Sequence, residues 1–112
     1  MSVEIRRVGE ITILDLHGAI TVSKGTSELN DNVSDLLKSG QTKIVLNTQG
    51  VKLVDSQGIA EILKAHTSVT QQGGQLKITG LSPHLHDVLN TTKLILVFDI
   101  RENEQAALDS FT

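Results

Sequence analysis

The sequence predicts a single α/β domain with a mixed sheet, its elements in the order ββαβαβαβα. Three observations carry this. The N-terminal residues alternate apolar and polar at period two. Short β-branched runs then alternate with stretches whose apolar residues recur at helical spacing. Glycine, asparagine and serine-proline punctuation falls at the joins. With 112 residues, the chain fits one domain spanning 1–112, large enough to bury roughly 65% of the surface its unfolded form exposes.

Val3-Glu4-Ile5-Arg6-Arg7-Val8 and Ile11-Thr12-Ile13-Leu14-Asp15-Leu16 both alternate and are joined by Gly9-Glu10, which reads as a β-hairpin with a two-residue link. Gly18 closes the second strand, and Ile20-Thr21-Val22 reads as an extended connector. Residues 24–39 form the first helix, with Leu29, Val33, Leu36 and Leu37 on one face and Gly40 just past its end. Lys43-Ile44-Val45-Leu46-Asn47 is almost continuously apolar, as expected of a strand buried on both faces. Ile59, Ile62, Leu63, His66 and Val69 mark the face of a second helix that stops at Gly73-Gly74. Gln75-Leu76-Lys77-Ile78-Thr79-Gly80 is a strand, with Leu76 and Ile78 on one side. Ser82-Pro83 starts a third helix as N-cap and first helical residue, with Leu85, Val88 and Leu89 on its face. Leu96-Val97-Phe98-Asp99-Ile100 reads as the last strand, and Asn103 caps a final short helix holding Ala107, Leu108 and Phe111. The initial hairpin makes an otherwise parallel sheet mixed.

Composition removes several function classes. The formal charge of -3, with no Trp or Tyr and only two Phe, lacks the basic patch and stacking platforms that nucleic-acid binding needs. Cysteine is absent, so disulfides and thiolate metal sites are excluded. No apolar run approaches the roughly 20 residues of a membrane span, and Met1 to Arg7 contains no signal-peptide core. These features point to a cytoplasmic protein.

The residues assemble no catalytic constellation. His84 and His86 are two apart, a spacing that does not place two ligands on one helical face, and no H-E-x-x-H pattern occurs, so no metal is expected. His66 lies on the apolar face of its helix and reads as a partly buried histidine. There is no G-x-S-x-G elbow and no phosphate-binding loop of the G-x-x-x-x-G-K type. Gly73-Gly74 follows a helix and fits a C-cap. No cofactor and no enzymatic activity are expected.

One stretch is left for function: Asp55-Ser56-Gln57-Gly58-Ile59, where a strand runs into the second helix. A serine at a helix N-terminus is a place where an added phosphate is electrostatically favoured. The same residues also suit an ordinary N-cap, a role for either Asp55 or Ser56 that contributes about 1 kcal/mol.

The run Lys43 to Asn47, the Gly50-Val51 step and Val54-Asp55-Ser56-Gln57-Gly58-Ile59 resemble the STAS domain of bacterial anti-sigma factor antagonists. In that family an apolar strand leads to an Asp-Ser, a second hydroxyl residue and a Gly. The similarity extends to the early hairpin, Gly18, Gly73-Gly74-Gln75-Leu76, Ser82-Pro83 and Phe98-Asp99-Ile100. The resemblance implies a binding module whose partner is an anti-sigma factor that is also a serine protein kinase. The kinase modifies the turn and so releases the antagonist, and a serine phosphatase reverses the step. Carried over by position, it makes Ser56 the phosphoacceptor and places Asp55, Gln57, Gly58 and Ile59 on the partner surface. The chain departs from the pattern at Gln57 (the second hydroxyl position), at Asn47 (often Asp), at Lys93 (often Gly), and at Gly18-Ala19-Ile20-Thr21, which lacks the acidic residues frequent there. Those departures leave a second reading open: a STAS scaffold, in a stress-signalling assembly or a lipid-transport complex, that binds without a phospho-switch.

Overall fold

The computed structural model describes residues 2–20 and 28–111. Five strands, β1 (Ser2–Val8), β2 (Ile11–Ile20), β3 (Lys43–Val54), β4 (Gln75–Thr79) and β5 (Asp99–Ile100), lie side by side in sequence order. Strands β1 and β2 pair antiparallel through the expected hairpin, and every later pairing is parallel. The helices are α1 (Glu28–Lys38), α2 (Ser56–Gln71), α3 (Pro83–Thr91) and α4 (Glu104–Asp109). Each of the first three connects adjacent parallel strands, and every step runs in the same direction across the sheet. Right-handed crossovers then put all three on one face.

Alternation along the strands divides the core accordingly. Leu14, Leu16, Ile44, Leu46, Leu76 and Ile78 pack under Leu29, Val33, Ile62, Ala65, Val69, Leu85 and Leu89 of the three helices. The opposite face carries Ile13 and Val45, covered by Ala107, Leu108 and Phe111 of α4 and its end. Ile44, Val45 and Leu46 are wholly buried because β3 is central and covered on both sides.

Polar side chains on the α4 face are held in pairs. Lys77 is buried at 3% exposure. Its ammonium lies 2.6 Å from Asp99 and 4.8 Å from the centre of the Phe111 ring, which satisfies a charge that would be costly to bury alone. Arg6 donates to both carboxylate oxygens of Asp15 and reaches Glu104 of α4. The Asp15 carboxyl is held below the usual carboxylate range, first by the Arg6 hydrogen bonds and also by the one from Asn47. Burial alone would raise the Asp99 carboxyl, but hydrogen bonds from Arg101 and Lys77 outweigh it and leave it lowered.

Several boundaries differ from the expectation. Strand β2 does not end at Gly18: it passes through that residue, at φ +87°, and continues to Ile20. Strand β3 does not stop at Asn47. It absorbs one extra residue between Asn47 and Gly50 and another between Val51 and Leu53, relative to β2. The polar stretch remains in the sheet because Thr48, 1% exposed, donates to the Thr79 carbonyl at 2.8 Å. The first helix is described over Glu28–Lys38; the part of its predicted range before residue 28, and Thr21-Val22 of the predicted connector, lie outside the described residues. That helix ends as predicted, with Gly40 N–H bonded to the Leu37 carbonyl and Gln41 N–H to that of Leu36, Gly40 taking φ +81°.

The last strand is much shorter than the apolar run Leu96-Val97-Phe98 suggests. Lys93 adopts a left-handed backbone, Leu94–Leu96 form a turn of 3-10 helix, and only Asp99–Ile100 pair with β4. Leu96 is 82% exposed while Phe98 is buried. Its ring meets that of His66 edge-on at 5.4 Å, which accounts for the half-buried histidine on the apolar face of α2.

Candidate functional site

The site is the junction of β3 and α2. Asp55 leaves the strand in an extended conformation, and its side chain accepts a 2.8 Å hydrogen bond from Gly58 N–H, while its carbonyl accepts the first helical bond from Ile59. Asp55 is therefore the N-cap. Ser56 is the first helical residue and stands outside the cap, exposed to solvent beside Gln57. No acidic side chain occupies the first turn of α2, and the capping carboxylate of Asp55 stands at the positive end of the helix dipole.

Gly58 is fixed by packing. A Cβ there would lie 1.9 Å from the Ile20 carbonyl oxygen and 2.9 Å from Val54. The helix start thus rests directly on the end of β2, and Asp55 N–H completes the attachment through a 3.4 Å bond to the same Ile20 carbonyl. Ile59 is 8% exposed and packs into the core. Of the five positions singled out in the sequence, Asp55, Ser56 and Gln57 form the accessible surface, and Gly58 and Ile59 form its support.

A hollow of about 470 Å³ opens beside the turn, lined by Val54, Asp55, Ser56 and Ile59 on one side and by His84, Val88 and Thr92 on the other. Ile59 contributes to this surface from below. The α3 contribution was not singled out in the sequence, although a signal exists: positions 84, 88 and 92 follow at intervals of four, one stripe of a helix. His86 falls off that stripe and does not line the hollow. Nothing in the sequence places the stripe next to Ser56; only the packing of α3 does.

The turn, its glycine support and the strand that feeds it lie within a match to the STAS domain family model that spans residues 2–107. The chain belongs to the STAS domain family. Among curated STAS relatives it is similar to the anti-sigma F factor antagonist of Paenibacillus polymyxa, 24% identical over 104 residues, covering 85% of this chain and 89% of that protein. An anti-sigma factor antagonist from Mycobacterium paratuberculosis shares the fold at a TM-score of 0.84 and 13% identity, covering 97% of this chain and 92% of the other. The Bacillus protein SpoIIAA matches in its unphosphorylated form (18% identity, 98% of this chain, 97% of that one) and in its phosphorylated form (19%, 99% and 100%), each at a TM-score of 0.74. The element order ββαβαβαβα read from the sequence is that of this STAS fold. Among the described residues no helix is long and apolar enough to cross a membrane.

Proposed function

We propose that this STAS protein is a cytoplasmic anti-sigma factor antagonist controlled at Ser56. In the unmodified form, the surface of Asp55, Ser56 and Gln57, with the hollow against α3, receives an anti-sigma factor that is also a serine kinase. Phosphate on Ser56 ends that contact, and a phosphatase restores it. The observation that carries this reading is the division of labour in the turn. Asp55 supplies the cap, so the Ser56 hydroxyl is exposed at the first helical position and can be modified without undoing the helix start. A phosphate there adds about -1.5 to -2 charges next to the Asp55 carboxylate and at the mouth of an apolar hollow. The helix N-terminus offsets part of the repulsion within the chain, whereas a partner seated on the hollow would have to desolvate the dianion. Loss of binding then needs no change of fold. The names of the relatives support the same general role.

The test is mass spectrometry after incubation with the cognate anti-sigma factor and ATP. A single phosphate on Ser56 is expected, and Ser56→Asp should weaken binding at least about tenfold, or about 1.4 kcal/mol, with little change in melting temperature. Gln57 favours one other reading, since it departs from the family pattern at the second hydroxyl position. If Ser56 stays unmodified and Ser56→Asp binds as tightly as the parent, the protein is a scaffold that binds without a switch.

A further inference from the structure

We infer that strand β1 is a self-association edge that pairs with a second copy of this chain to make a continuous ten-stranded sheet. The sheet has two open edges of very different length. Strand β5 is two residues long, whereas β1 is paired to β2 over all seven residues from Ser2 to Val8, without a bulge or proline, and its other side is unpaired among the described residues. Glu4 to Val8 are exposed throughout, including Ile5 at 50% and Val8 at 42%. A long, regular, partly apolar edge is a template for another strand.

The sequence of β1 selects both the occupant and the register. A two-fold axis perpendicular to the sheet continues an antiparallel ladder and sets one residue opposite its own copy. Centring on Glu4 or Arg6 opposes two like charges and leaves part of the strand unpaired. Centring on Ile5 pairs all seven residues, brings Ile5 onto Ile5, and sets Glu4 opposite Arg6 of the other copy twice over. The Ile5 side chains lie on the helix-bearing face, since Ile5 is opposite Leu14, and there Val3 of one copy meets the aliphatic stem of Arg7 from the other.

The charges mainly choose the register. Arg6 already holds Asp15 and Glu104, and Glu4 stands 3.6 Å from His17, so the affinity comes from the backbone ladder and the Ile5 contact. A single strand pairing buries little area, which makes the dimer weak and dependent on concentration.

The absence of native cysteine permits a direct test. Ile5→Cys, Glu4→Cys and Val8→Cys are prepared separately and oxidised at equal concentration, with folding checked by circular dichroism. Only position 5 faces its own copy; the others are displaced along the ladder beyond the roughly 7 Å that a disulfide spans. Ile5→Cys should cross-link at least about ten times faster than the other two, and adding Glu4→Arg to it should slow that reaction by a similar factor by setting arginine against Arg6. Sedimentation of the unaltered protein over a wide concentration range should show mass rising towards the dimer. Equal cross-linking at the three positions, indifference to Glu4→Arg, or a monomer mass at every concentration overturns the pairing.

Discussion

Replacing Gly58 with alanine sets two opposing effects against each other, and the structure decides between them. Gly58 is the third residue of α2, where alanine would ordinarily favour the helix by about 1 kcal/mol. Its added Cβ, however, would sit 1.9 Å from the Ile20 carbonyl oxygen and 2.8 Å from the carbonyl carbon. The obstacle is the backbone of Ile20, the last residue of β2 and paired with Val54, which cannot rotate aside as a side chain would, so the start of α2 must lift by about 1 Å or more. Overpacking of this kind costs about 1–3 kcal/mol, and more where the neighbour is rigid. Taking about 3 kcal/mol for the clash and subtracting the propensity gain leaves about 2 kcal/mol of destabilisation. A chain of 112 residues unfolds with an entropy of about 0.24 kcal/mol/K, which converts this to a fall of about 8 °C in Tm. Calorimetry measures it. The informative control is Gly73→Ala, where the backbone is left-handed at φ +75° but nothing lies within 4 Å; that change costs about 1–2 kcal/mol. A Tm for Gly58→Ala that is unchanged or higher would refute the direct seating of α2 on β2.

Asp55→Ala should cost about 1 kcal/mol through loss of the cap, and Asp55→Asn, which keeps an acceptor for Gly58 N–H, a few tenths at most; urea titrations of the two variants compare them. Acid should destabilise the protein through Asp15. Its folded pKa is depressed by Arg6, so its stabilisation is present above the unfolded value of about 3.9 and is lost as pH falls through the folded one. Unfolding titrations from neutral pH into that range should show a slope that Asp15→Asn reduces, at a cost in stability at neutral pH.

Much of this architecture could be read from local pattern, and the exceptions have physical causes. The hairpin, the Gly40 terminus, the Ser82-Pro83 start and the Asn103 cap are local events, set by residues within a few positions of one another, and they appear where the pattern puts them. The extension of β3 past Asn47 depends on Thr48 finding the Thr79 carbonyl 31 residues away, which no local pattern announces. Leu96 and Val97 read as strand because they are apolar, but the left-handed turn at Lys93 takes them out of the ladder and leaves them facing solvent. At the site, the Asp-Ser-x-Gly spacing was visible while its division of labour was not. Which side chain caps is settled by the chain's exit from β3, and the need for glycine is settled by Ile20, at the end of β2 with α1 and β3 between. The α3 side of the hollow depended entirely on how that helix packs.

Strand β4 pairs with β3 only as far as Asn47, whereas β2 accompanies β3 to Val54. The turn is therefore carried at the tip of a two-stranded ribbon that runs on past the other strands, its inner side held in the core by Ile20, Val51 and Val54. Changes on the outward side of this ribbon, at exposed Lys52 or Leu53, alter the surface beside the turn and leave the buried Val51 and Val54 in place. Exposed and buried residues are thus interleaved along the same length of strand, so its surface can vary while its packing is kept.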